Sequence, residues 1–98
     1  MRVRYRRRAQ LDIENIHAFI TERNPRAATK VVACIRYAAD RLGALPFIGH
    51  AGRVPGTYEW VVVGLPYIIV YEVDEAADEV AILGVFHGAQ KGRGPTVR

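Results

Sequence analysis

Residues 57–87 read TYEWVVVGLPYIIVYEVDEAADEVAILGVFH, and this segment is the strongest indication of the fold. Three segments of it are rich in the β-branched and aromatic residues that favour strands. The segments are 57–63, 66–74 and 79–86. Gly64 and Leu65 separate the first two, and an acidic turn at 75–78 separates the last two. Because these connections are short, the three segments are predicted to form an antiparallel meander.

Two amphipathic helices are predicted before the meander. An apolar residue recurs every three or four positions between residues 8 and 23, which places one apolar stripe on a helix. The stripe consists of Ala9, Ile13, Ile16 and Ile20. A second helix is predicted to begin at Pro25, since Asn24 can cap its first turn, and Gly43 is expected to end it. The short turn between the helices predicts an antiparallel hairpin.

In residues 1–5, apolar and arginine side chains alternate, as in a strand with one apolar and one basic face. The order of elements is therefore β-α-α-β-β-β. This order predicts an α+β fold in which the helical hairpin packs on one face of a mainly antiparallel sheet. Residues 43–56 contain six Gly or Pro residues and are predicted to form no regular element.

Both faces of the meander are apolar. The middle strand has Tyr67 and Ile69 on one side, and Ile68 and Val70 on the other. The last strand has Val80, Ile82 and Phe86 on one side, and Ala81, Leu83 and Val85 on the other. Because one helical layer covers only one face, we expect another chain to cover the second. The alternative is that the arginines of the first strand lay their methylene stems across it.

Charge is distributed unevenly along the 98 residues, whose net charge is +4. Residues 1–50 carry ten Lys or Arg and four acids, whereas residues 51–98 carry four Lys or Arg and six acids. Most cations of the second half lie in the last 11 residues, so basic ends flank an acidic middle. This distribution favours an anionic partner, either nucleic acid or an acidic protein segment.

Several classes of protein do not fit the sequence. The longest apolar stretch, residues 60–71, has 12 residues, whereas a membrane-spanning helix needs about 20. No apolar segment follows the N-terminal arginines to form a secretory signal, so a cytoplasmic location is expected. Cys34 has no second cysteine to pair with and is expected to be a small buried residue on a helix. The spacings match no phosphate-binding loop and no metal site, so neither a cofactor nor a metal is expected.

Six short segments, taken in order and spacing, resemble one known group of proteins. The segments are Ala9–Ile16, Asn24–Ala28, Leu45–Gly49, Gly52–Glu59, Pro66–Tyr71 and Ile82–Ala89. They resemble the RelE/ParE superfamily of bacterial toxins from type II toxin–antitoxin systems, and its ParE branch in particular. The resemblance implies a single toxin domain over residues 1–87, followed by a basic, flexible tail over residues 88–98. It also implies a ParD-like antitoxin as a partner in a hetero-oligomer.

The superfamily has two activities. By resemblance, the ParE branch implies inhibition of DNA gyrase without any hydrolysis, and nucleic acid would be contacted only through the target complex. The alternative is a RelE-like endoribonuclease that cleaves mRNA on the ribosome, with His87, Arg53 and Glu59 as catalytic candidates. A His, a Glu and an Arg in one cleft would form a minimal acid–base set. The gyrase interpretation is preferred, because the stretch between Arg53 and His87 has six acids and no Lys or Arg to bind phosphate.

Partner-binding residues are expected in the basic first strand, among the aromatic residues of the meander and in the tail. The candidates are Arg2, Arg4, Arg6, Trp60, Tyr67, Lys91 and Arg93. Tyr58 and Gln90 stand where ParE proteins commonly carry basic residues, so this chain departs from the family pattern at two positions.

Overall fold

A computed structural model describes residues 1–89, which form two helices and a five-stranded mixed sheet. The elements are β1 (Arg2–Tyr5), α1 (Arg7–Thr21), α2 (Pro25–Ala44), β2 (His50–Ala51), β3 (Tyr58–Val61), β4 (Tyr67–Asp74) and β5 (Glu79–His87). The strand order is β1-β5-β4-β3-β2; β1 is parallel to β5, and the other pairs are antiparallel. The predicted α+β class, with a helical hairpin on a mainly antiparallel sheet, is confirmed.

The connection between α2 and β3 contains a short strand that the sequence did not predict. In this strand, His50 pairs with Glu59 and Ala51 pairs with Tyr58. The expectation that residues 43–56 form no regular element is therefore wrong at β2. A tight turn explains the pairing, because the N–H of Gly52 donates to the carbonyl of Thr57 at 2.8 Å. Two residues of strand carry too little side-chain pattern to be recognised in a sequence.

The start of α2 follows the sequence prediction and its end does not. The Asn24 side chain accepts a hydrogen bond from the N–H of Ala27, and Pro25 occupies the first turn. Gly43 does not end α2, because the helix continues to Ala44. A Cβ atom on Gly43 would lie 2.7 Å from the carbonyl oxygen of Met1 and 2.8 Å from Cγ2 of Val3. Glycine is needed here for the close approach of β1 to the helix.

The main core lies between the helical hairpin and one face of the sheet, which we call the inner face; the opposite face is the outer face. The largest fully buried side chains are Tyr71, Ile35, Leu42, Ile69, Ile82 and Val80. Ile35 and Leu42 come from α2 and, being seven positions apart, lie on one apolar stripe of that helix. Burial of this stripe against the inner face holds the two layers together.

A bulge in β5 changes the side of the sheet to which its last residues belong. Val70 pairs with Gly84 and Tyr71 pairs with Ile82, so Leu83 is an extra residue. Val85 therefore joins Ile82 in the inner core, although strict alternation places the two on opposite faces. The sequence prediction for this strand is wrong after Leu83, because alternation shifts by one residue at a bulge.

The outer face is covered in part by the arginines of the first strand. Arg6 reaches across β5 to Glu72 on β4, at 3.6 Å, close to Ala81, which is only 2% exposed. This favours the arginine alternative for the part of the outer face beside β1. Farther from β1, Val61 is 49% exposed and remains open to a partner.

Candidate partner-binding surfaces

Glu59 lies at the centre of a polar cluster at the β2–β3 pair. Although charged, it is only 4% exposed. Its Oε2 atom accepts a hydrogen bond from the backbone N–H of Arg53 at 3.4 Å, and Oε1 lies 3.6 Å from Nε2 of His50. Two of the three nuclease candidates, Arg53 and Glu59, are thus adjacent. The contact of His50 with Glu59 could not be predicted from the sequence, because it depends on the two-residue strand β2.

His87 lies on the other side of the sheet. It pairs with Tyr67 at the end of β5, and the two rings meet edge to face with centroids 5.5 Å apart. Its Nδ1 atom accepts a hydrogen bond from the N–H of Ala89 at 3.0 Å. Tyr67 belongs to the inner-face series of β4, whereas Glu59 pairs with Val70 in the outer-face series. Since paired residues share a face, His87 and Glu59 lie on opposite faces, and the expected single cleft is not formed.

An apolar groove of about 360 Å³ runs between α2 and β3. It is lined by Ala33, Cys34, Tyr37, Ala38 and Arg41 of α2, and by Ile48, Trp60, Val62 and Val63. Tyr37 is 67% exposed and Val63 is 82% exposed. Trp60, a candidate partner contact, therefore lies in a surface that exposes large apolar side chains. Such a surface is typical of a protein–protein interaction site.

Cys34 is exposed in this groove, so the expectation that it is buried is wrong. The apolar stripe of α2 that meets the sheet includes Ile35, and Cys34 precedes it by one position. Neighbouring residues on a helix point about 100° apart, so Cys34 turns towards the groove. Its exposure could have been anticipated from the position of the stripe.

The edge of the sheet beside the groove is also open. β2 pairs only with Tyr58 and Glu59, and the N–H of Val62 donates to the carbonyl of Tyr67 on the β4 side, at 2.9 Å. Antiparallel alternation turns the backbone groups of Val61 to the side away from β4. No strand within residues 1–89 pairs with Val61 on that side. Open strand edges beside apolar surface are places where another chain can add a strand.

The remaining candidates are divided between surface, core and the undescribed end of the chain. Arg2 and Arg4 lie in β1, Arg6 follows them, and all three are exposed. Tyr67 is only 8% exposed, so its ring packs in the core and offers little surface to a partner. Lys91 and Arg93 lie outside the described residues.

Neither a metal site nor a membrane-spanning helix is found in the described part of the chain. Among residues 1–89, no three His, Cys, Asp or Glu side chains lie close enough together to hold a metal ion. Neither α1 nor α2 is long and apolar enough to cross a membrane.

The sequence matches the model of a known protein family. The family model described as the ParE toxin of the type II toxin–antitoxin system parDE matches residues 3–92. The chain belongs to the ParE toxin family. This ParE-family chain is 39% identical over 90 residues to the protein named "Putative toxin Y4kP" of Sinorhizobium fredii, covering 92% of this chain and 91% of that protein. The family suggested by the sequence segments is thereby confirmed.

Solved structures share the fold of this ParE-family toxin. A chain of the chromosomal ParDE toxin–antitoxin system from P. aeruginosa matches with a TM-score of 0.79 and 23% identity, over 89% of this chain and 95% of that chain. A chain of the RelBE2 toxin–antitoxin complex from Mycobacterium tuberculosis matches with a TM-score of 0.63 and 26% identity, over 88% and 95%. The fold is more similar to the ParDE chain than to the RelBE2 chain.

Proposed function

We propose that this ParE-family toxin acts by inhibiting DNA gyrase and that a ParD-like antitoxin neutralises it. Family membership supplies the first support. The structural observation that supports binding rather than RNA cleavage is the position of His87 and Glu59 on opposite faces of the sheet.

Hydrolysis of a phosphodiester needs an acid and a base that reach the same reacting group. Each must approach to about 2.6–3.2 Å, directly or through one water molecule. His87 and Glu59 do not face a common substrate position, and Glu59 is buried as well. The RelE-like endoribonuclease is therefore the less favoured alternative.

The groove between α2 and β3 supports the antitoxin part of the proposal. It combines exposed apolar side chains with Arg41 and with the open edge at Val61. These features suit a segment with apolar side chains and an acidic residue, because the apolar groups would be buried and the acid would face the guanidinium of Arg41. The toxin and its antitoxin would then form a hetero-oligomer.

The C-terminal residues supply a second part of the proposal. Residues 88–98 carry Lys91, Arg93 and Arg98 without any acid. We propose that these basic residues contact gyrase or the DNA held by gyrase; residues 90–98 lie outside the described part of the chain. The proposed target works on chromosomal DNA, so the proposal places the toxin in the cytoplasm.

Two parallel reactions test the proposed activity. The purified chain is added to gyrase with relaxed plasmid, and separately to translating ribosomes with a labelled message. We expect supercoiling to be lost while the message stays intact. The antitoxin encoded beside the toxin gene serves as the control and should restore supercoiling. A cut message with undisturbed supercoiling would establish the nuclease alternative instead.

A further inference from the structure

Arginine is concentrated at the start of the chain. Five of the first eight residues are arginines. Arg2 and Arg4 point to the outer face of β1, and Arg6 follows directly after this strand; we call these three residues the arginine row. Their side chains are 68%, 61% and 55% exposed, respectively. The arginine row therefore offers three exposed cations to a partner on the outer face of the sheet, beside its β1 edge.

The Cα atoms of the arginine row are regularly spaced along the chain. Alternate residues of a strand are about 6.6 Å apart, since each residue rises about 3.3 Å. Each strand of duplex DNA carries one phosphate per about 3.4 Å of helix axis. From Arg2 to Arg6 the backbone of the row therefore spans about four base-pair steps of a duplex, a length over which its guanidinium groups can reach phosphates. Arginine suits such contacts because its guanidinium group has five N–H donors.

Two carboxylates form long ion pairs with the arginine row. Oε1 of Glu79 lies 3.6 Å from Arg2 and 4.0 Å from Arg4, while Glu72 lies 3.6 Å from Arg6. These separations are longer than the range of about 2.7–3.2 Å for a good N–H···O hydrogen bond. The side chain of Glu79 is only 16% exposed, whereas those of Arg2 and Arg4 are more than half exposed. Because each guanidinium group has five N–H donors and these ion pairs are long, donors remain that can bond a phosphate.

We propose that the arginine row binds the phosphate backbone of duplex DNA directly. This goes beyond the proposed function, because inhibition of gyrase does not require the toxin itself to touch DNA. Proteins that bind single-stranded RNA or DNA without sequence preference stack the bases on aromatic side chains. The outer positions beside the row are Glu79 and Ala81, and the ring of Tyr5 lies on the inner side, 5.3 Å from the guanidinium of Arg36. The absence of a stacking ring among these residues favours duplex DNA over a single strand.

Fluorescence anisotropy with a labelled 20-base-pair duplex tests the proposal in the full chain. The logarithm of the binding constant is plotted against that of the salt concentration, for two unrelated sequences. Three phosphate contacts predict a slope of about −2.7. Arg4→Gln should make the slope less steep by about 0.9 for both sequences. In the variant in which Gln replaces Arg2, Arg4 and Arg6 together, the slope should be less steep by about 2.7.

Two controls separate the arginine row from general positive charge. Arg26→Gln makes the same charge change at the exposed start of α2, at the other end of the helix from Gly43 and Met1. A chain with both Lys91→Gln and Arg93→Gln tests the C-terminal cations. We expect Arg26→Gln to bind like the wild type, and the triple row variant to bind more weakly than the tail variant. Circular dichroism must show that each variant is folded.

Three results would overturn the proposal. The first is that the wild-type chain does not bind the duplex at about 50 mM salt, where such contacts are strongest. The second is that Arg4→Gln and Arg26→Gln weaken binding equally. The third is tighter binding to a 20-nucleotide single-stranded RNA or to a polyglutamate peptide than to the duplex. A supercoiling assay on the same samples keeps the two proposals apart, because gyrase inhibition without DNA binding contradicts only the arginine row.

Discussion

The carboxylate of Asp12 in α1 accepts the backbone N–H of Val85 in β5 at 2.9 Å. β1 covers this side of β5 only as far as Tyr5, which pairs with Ile82. The N–H of Val85 lies beyond that point and has no partner in β1. Asp12 supplies the acceptor, and its other oxygen accepts a hydrogen bond from Nε of Arg8 at 2.9 Å. One side chain thus ties the first helix to the sheet where strand pairing stops.

Replacing Asp12 tests the contribution of its hydrogen bond with Val85 to stability. Asp12→Ala leaves the N–H of Val85 without its acceptor, which should lower the free energy of unfolding by about 1–3 kcal/mol. Urea unfolding at pH 7 measures the change. Asp12→Asn is the matched control, because an amide oxygen can still accept the hydrogen bond, and it should lose clearly less stability. Equal losses in the two variants would show that the charge beside Arg8 matters, rather than the hydrogen bond to Val85.

The parts of the fold that the sequence predicts are those with an apolar pattern that extends over many residues. The stripe of α1 includes the buried Ala9 and Ile13, and β4 is apolar over most of its length, so each pattern is long enough to be recognised. The cap at Asn24 was also predictable, because capping depends on residues next to each other in the chain. The parallel pairing of β1 with β5 joins residues about 77 positions apart, and no local pattern indicates it.

The candidate site was harder to predict than the fold. Alternation alone places Val85 on the wrong face, because the extra residue Leu83 shifts the order. The contact of His50 with Glu59 depends on a two-residue strand held by a turn. The opposite orientations of His87 and Glu59 become clear only from the register of three strands. Sites assembled from several elements therefore need coordinates, even when each element is recognisable.

Tyr71 makes folding sensitive to alkaline pH. Its hydroxyl donates to the carbonyl of Pro46 at 2.8 Å and accepts from the N–H of Gly49 at 3.1 Å. Burial raises the pKa of Tyr71 above the ordinary value of 10.0. The folded chain favours the neutral hydroxyl of Tyr71. The contribution of Tyr71 to the free energy of unfolding is therefore complete below pH 10 and is lost as pH rises through the raised pKa.

We therefore expect the free energy of unfolding to fall above about pH 10. Tyr71→Phe should cost about 1–3 kcal/mol at pH 8 and should make that decline smaller. Some decline should remain, because burial also raises the pKa of Tyr5. Unfolding by urea between pH 8 and pH 11 measures both effects. Tyr37→Phe, at a 67% exposed position, is the control and should change neither; an unchanged pH dependence in Tyr71→Phe would contradict the role of Tyr71.

Cys34 provides a chemical probe of the groove, because it is the only cysteine of the chain and is exposed there. A thiol reagent should label the isolated chain rapidly. With antitoxin at ten times its Kd, labelling should slow by about tenfold if the antitoxin covers the groove. The control carries Cys34→Ser and Ala18→Cys, which moves the thiol to an exposed position of α1. Protection of both thiols to the same extent would contradict specific occupation of the groove.

His87 distinguishes a binding toxin from a nuclease. In the gyrase proposal His87 has no chemical role; its ring packs on Tyr67 and accepts a hydrogen bond from the N–H of Ala89. The His87→Ala chain should therefore inhibit supercoiling nearly as well as the wild type. A general acid or base contributes about 10²–10⁴-fold to a rate, so a nuclease would lose activity on that scale. His17→Ala, at an exposed position of α1, controls for the loss of a surface histidine. Cleavage of the labelled message by the wild type that falls by about a hundredfold or more in a folded His87→Ala chain would contradict the gyrase proposal, because packing at the exposed end of a strand cannot account for an effect of that size.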